Sequence, residues 1–326
     1  MTGQIVYLNG EFVPQSEATV SVMDWGFSGG DGIYEATRTF GHELFRLEEH
    51  LDRLYRSLAY TRIESGLNRE QMAIATRETL TRNVEFISSD DEFVLWHVIS
   101  RGNRLPGVEA KATVVMYCLD LAFATFARNY LDGVRLVVPG VRRTPPQCAD
   151  PKAKLTNRMN QLQAKFEASQ VDPDALPLLL DLDGNIAESN TANFFFVSQG
   201  RLCTSTPGNV LGGVSRLVVF EIARTLGIEV VEGNFTPYDV YNAEEAFLSG
   251  TSGTILPVTS LNGVGVGENL PGPITLRLIR EWNEMVGLDF VAQALRHLGD
   301  NEREPALADW ERRLAGSGIT EMASPI

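Results

Sequence analysis

Only four of the 28 basic residues in this 326-residue chain are lysines: Lys111, Lys152, Lys154 and Lys165. A lysine amine condenses with a carbonyl when its pKa is lowered and its position is held, so any chemistry that needs an amine has a short list of candidates. Lys154 stands between an irregular polar loop and a helix signal, in Asp150-Pro-Lys-Ala-Lys-Leu-Thr-Asn-Arg-Met-Asn160, with Lys152 as its neighbouring rival. Both lysines read equally as solvated loop residues. Two turns could hold an anion. Gly212-Gly213-Val214-Ser215-Arg216 runs directly into a helix, where free backbone N–H groups and the helix dipole favour a phosphate. Gly250-Thr251-Ser252-Gly253 is a small hydroxyl-rich turn after a strand. Each also reads as a plain loop. Glu188, in Ile186-Ala-Glu-Ser-Asn-Thr-Ala-Asn193, lies between two strand signals, where a glutamate is by default a surface turn residue.

Other chemistries lack their residues. The four histidines, His42, His50, His97 and His297, are dispersed, and neither HExxH nor CxxC occurs, so no metal site is expected. There is no GxSxG nucleophile elbow. Gly263-Val-Gly-Val-Gly267 lacks the strand–turn–helix context of a dinucleotide fingerprint, which removes a dehydrogenase. With 42 acidic residues and a net charge of −14, the chain offers no basic footprint for nucleic acid or an anionic membrane. No apolar run reaches the ~18–20 residues of a membrane span, and the start has no basic segment leading into an apolar one. Three separated cysteines suggest a reducing compartment. The expectation is a soluble, cytoplasmic protein.

The elements that must position these residues alternate between strand and helix. Gln4 to Val13 reads as a hairpin turning at Asn9-Gly10. Leu47, Leu51, Leu54 and Leu58 mark one helix face, and Asn68 caps a second helix. Strands follow at Phe93–Ser100 and Ala112–Leu119. Residues 120–133 read as a connector. The second half opens with a strand from Val134, then a helix after Thr156 with Met159, Leu162 and Phe166 on one side. Hairpins turn at Asp183-Gly184-Asn185 and near Gly200, and a helix runs from Val214 to Leu226. Strands near Ala246 and Ile255 precede a helix from about Ile274 to Val286. The expected division is 1–120, a connector at 121–133, 134–290, and an extension at 291–326, in an α/β (α+β) class.

In order along the chain, these segments resemble the fold-type IV, pyridoxal-phosphate-dependent aminotransferases (aminotransferase class IV). The similarity runs from about Ile5 to Val286. It is carried by Tyr7-Leu-Asn-Gly-Glu-Phe, by Asp24-Trp-Gly-Phe-Ser-Gly-Gly-Asp-Gly-Ile-Tyr-Glu35, and by Phe45-Arg-Leu-Glu-Glu-His-Leu-Asp-Arg-Leu54. It continues through Lys154, Asn157 and Ala164-Lys-Phe-Glu-Ala168, then Glu188 to Asn193, Leu211-Gly-Gly-Val-Ser-Arg216 and Gly250-Thr-Ser. The resemblance implies a coenzyme, pyridoxal 5'-phosphate, lying between a smaller N-terminal and a larger C-terminal domain of a homodimer. It implies that Lys154, rather than Lys152, forms the Schiff base and moves the Cα proton. Glu188 would pair with the pyridine nitrogen, with Asn193 in the same motif. Arg53, Val214, Ser215, Thr251 and Ser252 would hold the phosphate, and Leu211 would pack on the ring. Tyr34, Arg38, Trp96 and Arg104 are the expected substrate residues.

Departures leave the donor open. Met159 stands where some members have a tyrosine, and Trp96 stands near the arginine of branched-chain enzymes, whereas Arg104 resembles the loop arginine of D-amino-acid and (R)-amine enzymes. The implied activity moves an amino group from an amino acid or primary amine to a 2-oxo acid. A lyase like aminodeoxychorismate lyase is the alternative within the family. A non-catalytic phosphate-metabolite or coenzyme-binding protein is the alternative outside it.

Overall fold

The computed structural model describes residues 3–103 and 111–316. Its chain forms two compact units that are not contiguous in sequence. One comprises Met1–Leu121, Thr144–Leu162 and Gly208–Val214; the other comprises Ala122–Arg143, Gln163–Pro207 and Ser215–Ile326. The segment with Lys154 and the glycine turn at 212–213 therefore cluster with the N-terminal residues, although they lie far along the chain.

The first unit holds β1 (Ile5–Leu8), β2 (Glu11–Pro14), α1 (Trp25–Gly29), β3 (Gly32–Phe40), β4 (Glu43–Leu44), α2 (Leu47–Thr61), α3 (Arg69–Thr81), β5 (Phe93–Ser100) and β6 (Thr113–Asp120). They build a six-stranded sheet in the order β2-β1-β6-β5-β3-β4. The first hairpin turns where Asn9 and Gly10 take φ of 52° and 104°, the left-handed pair that a type I′ turn needs. Helix α2 buries Leu47, Leu51, Leu54 and Leu58 as the i, i+4 spacing requires. Helix α3 starts on a capping box, Asn68 Oδ1 accepting from Gln71 N at 2.9 Å and Gln71 Oε1 from Asn68 N at 2.9 Å. One face of the sheet packs into a core with both helices: Ile33, Leu95, Ile99, Val114, Met116 and Cys118 join Leu51, Leu54 and Met72.

The second unit contains α4 (Phe123–Asp132), β7 (Val134–Val137), most of α5 (Met159–Val171), β8 (Leu176–Leu180), β9 (Ile186–Ser189), β10 (Asn193–Ser198) and β11 (Arg201–Ser205). It continues with α6 (Val214–Thr225), β12 (Val230–Gly233), α7 (Pro237–Tyr241), β13 (Glu245–Gly250), β14 (Thr254–Leu261), β15 (Val264–Gly265), α8 (Pro273–Val286), α9 (Phe290–Leu295) and α10 (Asp300–Gly316). The sheet order is β12-β11-β10-β13-β14-β7-β8-β9, with β15 on β14. Because β9 also pairs with β10, through Glu188 and Asn193, the strands β10, β13, β14, β7, β8 and β9 close into a ring.

One stretch differs from the sequence expectation, and two others take arrangements that the sequence left open. Residues 120–133 are largely helix α4, which buries Phe123, Ala127 and Tyr130. Helix α5 buries Ala164 and Ala168, whereas Met159, Leu162 and Phe166 are 59%, 57% and 61% exposed. The charged C-terminal stretch folds as α9 and α10. Trp310 Nε1 donates to Asp289 at 3.0 Å and Arg128 pairs with Glu302 at 2.6 Å, so ring packing and salt links hold these helices where hydrophobic periodicity gave no signal.

Candidate active site

In the first unit, the Lys154 segment lies along β3. Tyr34 N donates to Lys154 O at 2.9 Å, Thr156 N donates to Gly32 O at 2.9 Å, and Leu155 bridges Ile33. Lys154 N donates to Ser57 Oγ of α2 at 3.1 Å. Gly30 turns with φ of 65° against Asn157, where any side chain would be strained. A loop pinned on both sides gives Lys154 a fixed origin. Its Nζ lies 4.5 Å from the centroid of the Tyr34 ring, and the Arg158 guanidinium 5.5 Å from it. Lys152 is exposed, with its Nζ 3.4 Å from Asp150. Geometry thus separates the rival lysines: one amine is held over an aromatic ring, the other stands in solvent.

Tyr34 is stacked on Trp96 at 5.5 Å, and Arg38, two strand positions further along the same face from Ala36, is buried with its guanidinium 3.9 Å above the Phe40 ring. Arg104 lies outside the described residues.

On the opposite face of β3, Glu35 is fully buried. Arg53 Nε and Nη2 donate to its two oxygens at 2.8 and 2.6 Å, and His50 Nδ1 stands 3.0 Å from Oε1. Burial opposes ionisation of Glu35, but Arg53 and His50 outweigh it and hold the carboxyl well below the usual carboxylate range. Burial also lowers the His50 pKa, partly offset by Glu35. Arg53 Nη1 donates to Gly212 O at 2.9 Å, tying α2 to the glycine turn that carries Leu211 and leads to Val214. Arg53 and Gly212 line a cavity of about 210 Å³ together with Arg56, Tyr60, Asp150, Lys152 and Ala153. Three cations and one anion line this hollow in a chain of net charge −14.

In the second unit, Glu188 is buried on β9. Its Oε1 accepts from Arg143 Nε at 3.0 Å and its Oε2 from Asn193 Nδ2 at 3.2 Å. Ser215 is buried in the first turn of α6. Thr251 and Ser252 occupy the β13–β14 turn, where Gly250 packs so closely on Thr191 and Ala192 that an added Cβ would lie 3.3 Å from Ala192 Cβ. That turn is thereby set beside the strand beginning at Asn193.

Sequence reasoning missed Glu35, His50 and Arg143. The first two lie inside quoted motifs, but only strand–helix packing reveals that they meet Arg53. Arg143, in a polar loop, has no local signal linking it to a glutamate 45 positions away. Among the described residues no group of His, Cys, Asp and Glu could hold a metal ion, and no described helix is long and apolar enough to cross a membrane.

The sequence pattern described as Amino-transferase class IV matches residues 32–261. This chain belongs to the class IV aminotransferases. A Methanocaldococcus jannaschii protein provisionally named a branched-chain-amino-acid aminotransferase is 33% identical over 283 residues, covering 86% of this chain and 96% of the relative. A D-alanine aminotransferase of Listeria monocytogenes is 29% identical, covering 84% and 93%. Among solved structures, the PLP-form (holo-form) of the branched-chain amino acid aminotransferase from Thermobaculum terrenum superposes with a TM-score of 0.78 at 26% identity, over 89% of this chain and 96% of that one. The fold is therefore fold-type IV, and the protein is a pyridoxal-phosphate-dependent aminotransferase. The donor set fits that coenzyme. Within the first unit the Lys154 amine held over Tyr34 suits its aldehyde, and within the second the buried Glu188 carboxylate suits its ring nitrogen.

Proposed function

We propose that this aminotransferase works through Lys154 and moves an amino group between an amino acid or primary amine and a 2-oxo acid. The observation that carries the reading is the placement of the Lys154 amine over Tyr34 by a loop pinned to β3 and α2, while Lys152 stands in solvent. Bound pyridoxal phosphate supplies an electron sink that makes the substrate's Cα proton removable. Lys154 then serves as the base that takes this proton and returns it. Glu188, fixed by Arg143 and Asn193, would pair with the ring nitrogen and keep it protonated. Val214, Ser215, Thr251 and Ser252 would hold the phosphate by backbone and hydroxyl donors. Arg53, its charge paired with Glu35, would serve the phosphate by bracing the glycine turn through Gly212 O. Leu211 packs against the ring, and Arg38 is the candidate partner for a substrate carboxylate. Borohydride reduction of the holoenzyme followed by peptide mass analysis tests this: the coenzyme is expected on the Lys154 peptide, and fixation elsewhere or nowhere overturns it.

The enzyme is further proposed to be a cytoplasmic homodimer. The exposed Met159, Leu162 and Phe166 on α5 and the exposed Phe27 supply apolar surface for a second copy. Three unpaired cysteines suit a reducing compartment. Light scattering on the purified protein is expected to give twice the chain mass.

A further inference from the structure

Side chains on one face of the six-stranded sheet form a grid. Tyr34, Ala36 and Arg38 of β3 lie opposite Val98, Trp96 and Val94 of β5, which lie opposite Val115, Tyr117 and Leu119 of β6. At its centre, Trp96 has the small Ala36 directly across on one side and Tyr117 on the other. Three rings run parallel: Tyr34 and Trp96 have centroids 5.5 Å apart at 15°, Trp96 and Tyr117 6.4 Å apart at 6°. Cross-strand aromatic pairs often serve only to stabilise a sheet. This ladder differs in two respects. Its rings are only partly buried, while the alternating residues Ile33, Glu35, His97 and Met116 on the other face are wholly buried beneath the helices. It also begins under the Lys154 amine, whose Nζ lies 4.5 Å from the first ring.

We infer that the ladder is the side-chain subsite of the aminotransferase and that it selects 2-oxo acids and amino donors bearing an aryl group. The inference rests on the proposed role of Lys154. A substrate whose reacting carbon sits at that amine extends its side chain along Tyr34 toward Trp96. Flat π-faces and edges at a Tyr–Trp–Tyr run reward an aromatic ring with stacked or edge contacts that a branched alkyl group does not make.

The acceptor half-reaction tests this without settling the handedness of the donor, because 2-oxo acids are achiral. In it the amino group passes from pyridoxamine 5'-phosphate to the 2-oxo carbon, which is reduced. The carbonyl oxygen leaves as water, and the coenzyme carbon that carried the amine is oxidised by the same two electrons and takes up a water oxygen to become the aldehyde. Holoenzyme loaded with pyridoxamine 5'-phosphate is mixed with phenylpyruvate, 4-methyl-2-oxopentanoate or pyruvate, and the coenzyme's visible absorbance is followed. Phenylpyruvate is expected to react about tenfold more efficiently than 4-methyl-2-oxopentanoate, with Trp96→Leu erasing the ratio and Trp96→Phe keeping most of it. Equal efficiencies in the wild type, or a ratio untouched by Trp96→Leu in protein that still binds coenzyme, overturn the subsite while leaving aminotransfer intact. No reaction with any acceptor overturns the aminotransfer reading and the subsite with it.

Discussion

Strands β3, β5 and β6 are read twice in this molecule, once by each face of the sheet they form. Odd positions of β3 and β5 and even positions of β6 point toward α2 and α3, and the alternate positions point the other way. Toward the helices lie Ile33, Ile99 and Met116, together with the Glu35–Arg53 ion pair and His50 beside it. On the other side lie Tyr34, Trp96 and Tyr117, and the Lys154 amine. The backbone is the same, so the difference comes wholly from a period of two. Charge is hidden where packing is tight, and aromatic surface is left partly open where the Lys154 amine stands. One face is built to stay put, and the other to receive something.

Changes that break this contrast should differ by orders of magnitude. Lys154→Ala is expected to lower transamination by about a thousandfold, as loss of nucleophile and proton carrier together predicts, while leaving the urea midpoint nearly unchanged. Steady-state rates and denaturation on the same sample check both halves. Glu35→Gln is its counterpart on the covered face. It leaves the Arg53 guanidinium buried without its counter-charge, for an expected stability loss of about 3–5 kcal/mol, visible in urea titration. If the variant unfolds no earlier than wild type, the cluster is not the anchor its geometry indicates.

Acid sharpens the same contrast. The Glu35 carboxyl is depressed in the folded protein, so its contribution is present above the ordinary carboxylate range and fades as pH falls through the folded value. His97 is neutral for a related reason. Thr76 Oγ1 spends its proton on Met72 O, so His97 Nε2 donates to Thr76, and Nδ1 has no hydrogen-bond partner among the described residues. Burial lowers its pKa from 6.5 to about 4. The unfolded chain takes up that proton first, so stability should drop as pH falls from 6.5 toward 4. His97→Gln is expected to flatten this part of a stability–pH curve, and an unchanged slope would show that His97 is not what titrates. The smallest effect falls on the open face. Met116→Ala should cost about 2–5 kcal/mol, whereas Tyr117→Leu next to it should cost no more than about 1 kcal/mol; thermal melts of the two variants decide it.

Much of this was legible beforehand because the relevant signals are local. Asn9-Gly10 dictates its own turn, Asn68 and Gln71 cap each other within one helical turn, and the leucines of α2 repeat at its pitch. The family motifs are contiguous, so they point to Lys154 and Glu188 without any knowledge of the fold. What escaped is non-local. Glu35 and His50 are 15 positions apart and Glu188 and Arg143 are 45 apart; neither pair has a spacing that any element repeats. The apolar side of α5 was visible in the sequence, but periodicity reports that a face is apolar, not what lies against it. The same limit applies to Trp96, which the sequence marks as a departure but does not join to Tyr34 and Tyr117.

The pairing of Glu188 with Asn193 also bears on how the protein behaves in a crowded solution. A closed run of strands leaves fewer unsatisfied N–H and C=O groups at its margins, so these six offer a stranger's strand little to pair with. Such recruitment is left to the few true margins. At β4 the margin is two residues long, and at β12 it carries Glu232, bound to Arg216. At the other end of the six-stranded sheet, β2 is four residues long and ends in a proline that cannot donate to a new ladder. Self-association through strand addition therefore has little template here, and clumping on storage should follow loss of the fold rather than precede it.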